Sequence, residues 1–424
     1  MKKIFGILLC ASVLLPLSSC FKQEDDIWEQ SSAQRTEAKV NEYYELLTSA
    51  ENGWVMEYFA NESEKGYPII VKFDAHKNVL MAANNAVSSG GAYKEQNGNY
   101  EIISDQGPVL TFNVNNSLLH TFADPSSDGI GHNGDYEFVI YEGDSEHFKM
   151  KGKKHGLEVY LYKMPADQDW ETYYDKITEN TDAMFSPYIK NLSMTAGGLN
   201  YTISVSDGVM VFLPDGGDPA TDAVSDPFVV RLDGTVHLCM PFEGRNYDLA
   251  LQNFKLSEDG SALECIDEGQ TATITAPDAV TIFNDQSSEW QIDASSLAGN
   301  FVNLYQTVVE DTRAAIGSAF SYFGFTYSAA GGYAVMSHNG RARGLYYSEN
   351  AVVDDSTVSI VLTGETDRNA QNDAGRIPSI KAFVDYLVST QYTVTVEGNK
   401  IMPVRLKFVS KTNPEDSFMV DKTK

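Results

Sequence analysis

The sequence predicts a mainly β protein with a few helices (α+β), its strands running as antiparallel meanders curled into barrel-like or strongly twisted sheets in two or three modules. Three observations predict it. Apolar and polar residues alternate with period two from Trp54 to Met164 and again beyond residue 189. Short Gly, Asn and Asp turn signals separate the runs. Helical spacing is confined to a few stretches. A length of 424 residues gives room for two or three domains, and 42% hydrophobic residues suffice for real cores.

The first thirty residues read as an address. Lys2 and Lys3 precede an apolar run from Ile4 to Leu15, long enough for a secretory leader and short of the ~20 residues of a membrane span. Leu17-Ser18-Ser19-Cys20 follows and resembles the bacterial lipobox. That resemblance implies that residues 1–19 are a lipoprotein signal peptide and that the Cys20 thiol accepts a diacylglycerol and becomes the mature N-terminus. Acyl chains bury CH₂ groups at ~0.8 kcal/mol each, so two or three on one residue hold a protein stably in a membrane. The bland reading is a plain secretory leader with an incidental cysteine. Lys22-Gln23-Glu24-Asp25-Asp26 resembles the surface-export signal of Bacteroidota lipoproteins, implying the outer face of the outer membrane; otherwise 20–30 is a solvated, flexible tether.

The first module is expected over 31–165. Ser31 and Gln34 form a capping box, and Val40, Tyr43, Tyr44 and Leu47 share one helix face. Asn52-Gly53 ends that helix and Trp54 starts a strand. Eight strands follow, among them "GWVMEYFA", "GNYEIIS", "PVLTFNV" and "DYEFVIYE". In the last, "LEVYLYKM", Leu157, Val159 and Leu161 lie on one face and Glu158, Tyr160 and Tyr162 on the other. A second β-rich module is expected over 166–295, entered by a helix near 167–185, with "NDQSSEWQIDASS" as the next junction. The third, 296–424, holds a helix near 302–315 and another near 377–390 with Pro378 in its first turn.

A net charge of −28 argues against nucleic acid and anionic headgroups as partners, since phosphates need basic patches. It suits divalent cations and neutral ligands. Of four cysteines, Cys10 lies in the leader and Cys20 takes lipid; Cys239 and Cys265 either bridge neighbouring strands or stay as two buried thiols, the second being at least as favoured.

Asp124-Pro125-Ser126-Ser127-Asp128-Gly129 fits the start of a calcium loop, with Asp124, Ser126, Asp128, the Ile130 carbonyl and Asp135 as hard oxygen ligands. Asp at the closing position, His132 in a ligand slot and strand-like flanks favour instead a turn held by side chain–backbone hydrogen bonds. Gly129-Ile130-Gly131-His132-Asn133-Gly134 spells GxGxxG, but a strand follows it, so it reads as a glycine-rich loop. Asp215, Asp218, Asp222 and Asp226 read as a solvated acidic loop. The seven histidines show no metal spacing, and no nucleophile elbow exists.

"SSAQRTEAKVNEYYELLTSAENGWVMEYF", "GPVLTFNVNNSLLHTFADP" and "GDYEFVIYEGDSEHFKMKGKKHG" resemble a family of Bacteroidota lipoproteins known as domain of unknown function 4302. These segments lie between residues 31 and 156. The resemblance implies a companion of SusC/SusD-type outer-membrane uptake systems and carries over no catalytic residue. The expected function is therefore a surface-exposed lipoprotein that binds a glycan, a peptide or a receptor complex and is non-catalytic. The alternatives are an extracellular glycan hydrolase, which needs two facing carboxylates in a cleft, and a calcium-stabilised scaffold.

Overall fold

The computed structural model describes residues 31–105, 107–114, 116–125, 131–185, 191–244, 248–329 and 332–423. Helix α1 (Ser32–Ser49) opens on the capping box: Gln34 N donates to Ser31 Oγ, and Ser31 N donates back to the Gln34 side chain. Nine strands follow: β1 (Trp54–Tyr58), β2 (Tyr67–Phe73), β3 (Asn78–Ala83), β4 (Lys94–Asn99), β5 (Glu101–Ser104), β6 (Pro108–Thr111), β7 (Glu137–Gly143), β8 (His147–Gly152) and β9 (Glu158–Lys163). They form one antiparallel sheet in the order β4-β3-β2-β1-β9-β8-β7-β6-β5. The expected single strand "GNYEIIS" is broken at buried Tyr100, whose N–H bonds the Lys77 carbonyl and turns the chain from one edge of the sheet to the other. A short helix, α2 (Ser117–Ala123), lies where no helix was expected, capped by the Asn116 side chain.

The sheet curls around its own core. Trp54, Met56 and Tyr58 of β1 point into it beside Tyr43 and Leu47 of α1 and Phe122 of α2. Trp54 Nε1 donates to the Leu47 carbonyl at 2.8 Å, so burial of the indole leaves no orphan donor. Gly53 makes the helix–strand turn at φ +79°, and a Cβ there would lie 2.6 Å from the Val71 carbonyl.

Helix α3 (Trp170–Met184) lies on the sheet's outer face. Tyr173, Tyr174 and Ile177 pack on Val55, Ile70 and Ala82. This cover over Val55, with the first barrel's Arg231 and His237 over Glu57, is why every residue of β1 is buried instead of alternating.

Two closed eight-stranded antiparallel barrels complete the chain. The first comprises β10 (Leu192–Ala196), β11 (Leu199–Ser206), β12 (Val209–Pro214), β13 (Val224–Val230), β14 (Val236–Phe242), β15 (Leu251–Leu256), β16 (Ala262–Cys265) and β17 (Ala272–Thr275). Met194, Ile203, Phe212, Leu238, Phe254 and Leu263 fill it, as expected of an eight-stranded ring. After α4 (Ala279–Phe283) come β18 (Glu289–Asp293), α5 (Asn300–Ile316), β19 (Tyr322–Ser328), β20 (Gly332–His338), β21 (Arg343–Asp354), β22 (Thr357–Thr366), α6 (Arg368–Arg376), α7 (Pro378–Leu387), β23 (Gln391–Val396), β24 (Arg405–Ser410) and β25 (Ser417–Lys422). The segment read as a junction thus contains a strand: β18 pairs with β25, Trp290 opposite Lys422, and closes the second barrel. In all three modules the first strand pairs with the last.

The modules are locked together. Ile401, between β23 and β24, is 1% exposed and packs in the core of the first barrel. No described helix is long and apolar enough to cross a membrane.

Candidate functional site

A cleft of about 720 Å³ opens between the curled sheet and the first barrel. Lys65, just before β2, and Pro68 within it form one side, Thr178 and Asp182 of α3 another, and Ser206 of β11 with Val229 of β13 a third. The walls exist because α3 straddles both modules. Tyr174 Oη donates to the Ala82 carbonyl of the sheet at 2.8 Å, and Asn180 Nδ2 donates to the Arg231 and Leu232 carbonyls of the barrel at 2.9 and 3.0 Å. Lys65 Nζ meets Asp207 Oδ1 at 2.8 Å across the mouth; both are solvated, so the pair is worth about 0–1 kcal/mol. The surface is amphipathic: Phe185, Val205 and Phe228 give apolar patches, and Ser204 and Ser206 give hydroxyls.

Beside the cleft the two modules touch along a seam. Phe59 and Leu157 of the sheet pack against Val229 and Cys239 of the barrel. Gly66 is required there: a Cβ would lie 2.3 Å from Val229 Cγ1. Within the seam, Arg231 Nε and Nη2 grip both carboxylate oxygens of Glu57 at 2.6 and 2.9 Å. The guanidinium also lies 4.1 Å from the Tyr162 ring centroid. Burial works against the arginine's charge, but the hydrogen bonds and field of Glu57 outweigh it and raise its pKa. His237 Nε2 sits 3.7 Å from Glu57 Oε2, while Nδ1 meets Asn253 Oδ1 at 2.8 Å. Burial depresses the His237 pKa against the pull of Glu57.

Asp226 lies at the same seam. It sits on β13, 5% exposed, and accepts from Met240 N at 3.2 Å. Burial pushes its pKa up to about 7, the backbone N–H groups of Met240 and Cys239 pull it down, and Glu62 pushes it up. It therefore departs from the solvated acidic loop in which the sequence placed it; Asp218 and Asp222 do form a local turn, with Asp218 N donating to Asp222 Oδ2.

The other candidate residues are scattered. Cys20 lies outside the described residues, as do Ser126, Asp128 and Ile130 of the calcium reading. Asp124 caps the end of α2 and is exposed. Asp135 is buried, and its two oxygens accept the Lys154 and His155 N–H groups at 3.0 and 2.9 Å, which ties this carboxylate to the turn between β8 and β9. No described cluster of three His, Cys, Asp or Glu could hold a metal ion.

Of the two readings of Cys239 and Cys265, the structure has the free thiols and not the bridge, Cys239 buried and Cys265 half-buried. Strand β15 lies between their strands. Two strand spacings are ~10 Å, beyond the ~7 Å that a disulfide spans. Their side chains also leave the barrel wall in opposite directions. Cys239 packs outward in the seam, and Cys265 packs with the barrel core.

Sequence reasoning missed Glu57, Arg231 and the burial of Asp226. One signal was available: Glu57 interrupts an otherwise apolar run in "GWVMEYFA".

A family model described as domain of unknown function, DUF4302, matches residues 24–256, a span that contains every described wall of the cleft. Comparison with curated proteins gives no match. Among solved structures, a DNA polymerase sliding clamp from Pseudomonas aeruginosa aligns over 92% of this chain and 98% of that one, at 10% identity and a TM-score of 0.13. The DNA polymerase III beta chain from Streptococcus pneumoniae aligns over 91% and 98%, at 10% identity and a TM-score of 0.11. Transferrin binding protein B from Neisseria meningitidis aligns over 86% and 68%, at 11% identity and a TM-score of 0.13. At such TM-scores these likenesses carry no argument about activity. The family match covers more than half of the sequence, and the chain belongs to the DUF4302 family.

Proposed function

We propose that this protein is a non-catalytic binding component of a nutrient uptake system, held to the outer membrane by lipid on Cys20 and facing the cell surface. The cleft between the sheet and the first barrel carries the reading. Its volume of about 720 Å³ falls in the range of ~300–1,000 Å³ usual for small-ligand sites, and a junction between modules is a usual place for one. Hydroxyls beside apolar patches suit a neutral ligand with polar edges and apolar faces, such as a short glycan or a peptide. Binding asks for no pair of acids. Among the described lining residues the carboxylates are Asp182 and Asp207, and Asp207 is held by Lys65. A receptor of the SusC/SusD type is the partner to which such a protein would deliver its ligand.

The test is calorimetric titration of the mature chain with panels of neutral oligosaccharides and short peptides. Ser206→Trp, which fills the cleft from an exposed strand end, is expected to weaken the ligand found by at least about tenfold and to leave thermal stability unchanged. A ligand that binds the variant as tightly as the parent would place the site elsewhere.

The anchor has its own test. Cys20→Ser is expected to move the protein from the membrane fraction to the soluble fraction, because the acyl chains on that residue are the proposed hold on the bilayer. Retention of the variant in the outer-membrane fraction would remove the lipid from the account.

A further inference from the structure

We propose that the β23–β24 hairpin of the second barrel positions the α3 wall of the cleft, with Asn399 as the positioning residue. The proposal rests on the cleft being the binding site. It makes that site depend on residues beyond the 24–256 span of the family match.

The last turn of a helix leaves carbonyls without partners inside the helix. Many helices answer this with a left-handed glycine or a basic side chain near the end. Helix α3 has neither: its last turn carries no basic residue, and its C-cap, Phe185, is extended at φ −131° and ψ 116°. The Phe185 N–H donates to the Thr181 carbonyl at 2.8 Å. The Ala183 carbonyl is met from another module, by Asn399 Nδ2. The other end of that amide is also in use. Asn399 Oδ1 accepts the Ile401 and Met402 N–H groups at 3.1 and 3.0 Å, a turn to which asparagine is suited. The loop therefore fixes which way the amide points.

The loop is itself held by the first barrel. Ile401 is buried in that barrel's core, and Met402 and Phe185 both pack against the same core. Lys400 Nζ lies 3.1 Å from Asp259 Oδ2 in the β15–β16 turn, but both are exposed and the pair adds little. The end of α3 that the loop holds is the end that lines the cleft, through Thr178, Thr181, Asp182 and Phe185. The Phe185 ring centroid lies 4.9 Å from that of Phe228 on β13, another lining residue. Asn180 ties the middle of this wall to the first barrel, and Asn399 ties its end. A shift of the last turn would move Asp182 and Phe185 relative to the hydroxyls of Ser204 and Ser206.

The experiment uses the full mature chain. Asn399→Asp keeps an oxygen for the Ile401 and Met402 N–H groups, removes the donor to α3, and sets a carboxylate at the negative end of the helix. Hydrogen exchange is expected to quicken at least about fivefold at Met184 and Phe185. Exchange in β23 and β24 and the urea midpoint are expected to stay as in the parent. The oligosaccharides and peptides of the calorimetric panel that bind the parent are expected to bind the variant at least about fivefold more weakly. A residue with only a structural role would instead lower the midpoint and quicken exchange in both modules together, and that result would overturn the proposal. So would unchanged exchange at Phe185, or unchanged affinity beside quicker exchange. If no panel member binds the parent, the reading of the cleft fails by itself, and exchange at Phe185 still decides whether Asn399 holds the wall.

Discussion

Arg231→Ala is expected to destabilise the sheet–barrel pair by about 3–5 kcal/mol, the usual cost of removing one partner from a buried ion pair. Glu57 is 2% exposed on a strand covered on both faces. Both its oxygens are held by Arg231. Without the guanidinium the carboxylate is left in the seam with the His237 ring, 3.7 Å away, as a polar neighbour. The stacking of the guanidinium on Tyr162 is lost as well. Truncation alone does not give the net value of the pair, because it strands a charge. Glu57→Gln combined with Arg231→Met removes both charges at similar volume and is expected to recover most of the loss. Urea denaturation of the two variants beside the parent checks this. A loss below about 1 kcal/mol in Arg231→Ala would mean that water reaches Glu57 and that the seam is wet.

The pair shows where sequence reading stops. Local rules were legible in part: the capping box at Ser31 starts α1, and Val159 and Leu161 share the core face of β9, whereas Leu157 precedes the strand and packs in the seam against the barrel, and Tyr160 of the opposite face is buried too. Pro378 opens α7 in its first turn. Such signals act over a few residues, and so do the side chains that produce them. Helix α6 escaped notice because "RNAQNDAGR" is polar and buries only Ala370 and Asp373, so it offers no apolar stripe to read. Glu57 stood out as polar, but its partner lies 174 residues away. Nothing in the spacing of a sequence records that distance. The cleft has the same origin. Its walls come from β2, α3, β11 and β13, and no one segment contains the site.

Asp226 stood among acidic residues that look alike in sequence, and its burial gives the second large effect. Its folded pKa of about 7 lies above the ordinary value of 3.8. The folded state therefore binds its proton more tightly than the unfolded chain does. That stability is fully present below about pH 4 and is lost as pH rises through about 7, above which the group is charged in both states. The gap corresponds to roughly 4 kcal/mol over the whole window, and about 3 kcal/mol of it falls between about pH 5 and pH 8. Asp226→Asn keeps the shape and the acceptor for Met240 N and cannot ionise. The parent is expected to lose about 3 kcal/mol more than the variant between those two pH values, measured as urea unfolding free energies. Glu62 and the neighbouring Cys239 thiol face the same spot; burial raises the thiol far above this range, which leaves Asp226 to carry the slope. Parallel loss of stability in parent and variant would show that the carboxylate is solvated and that the sheet and barrel part more readily than their packing implies.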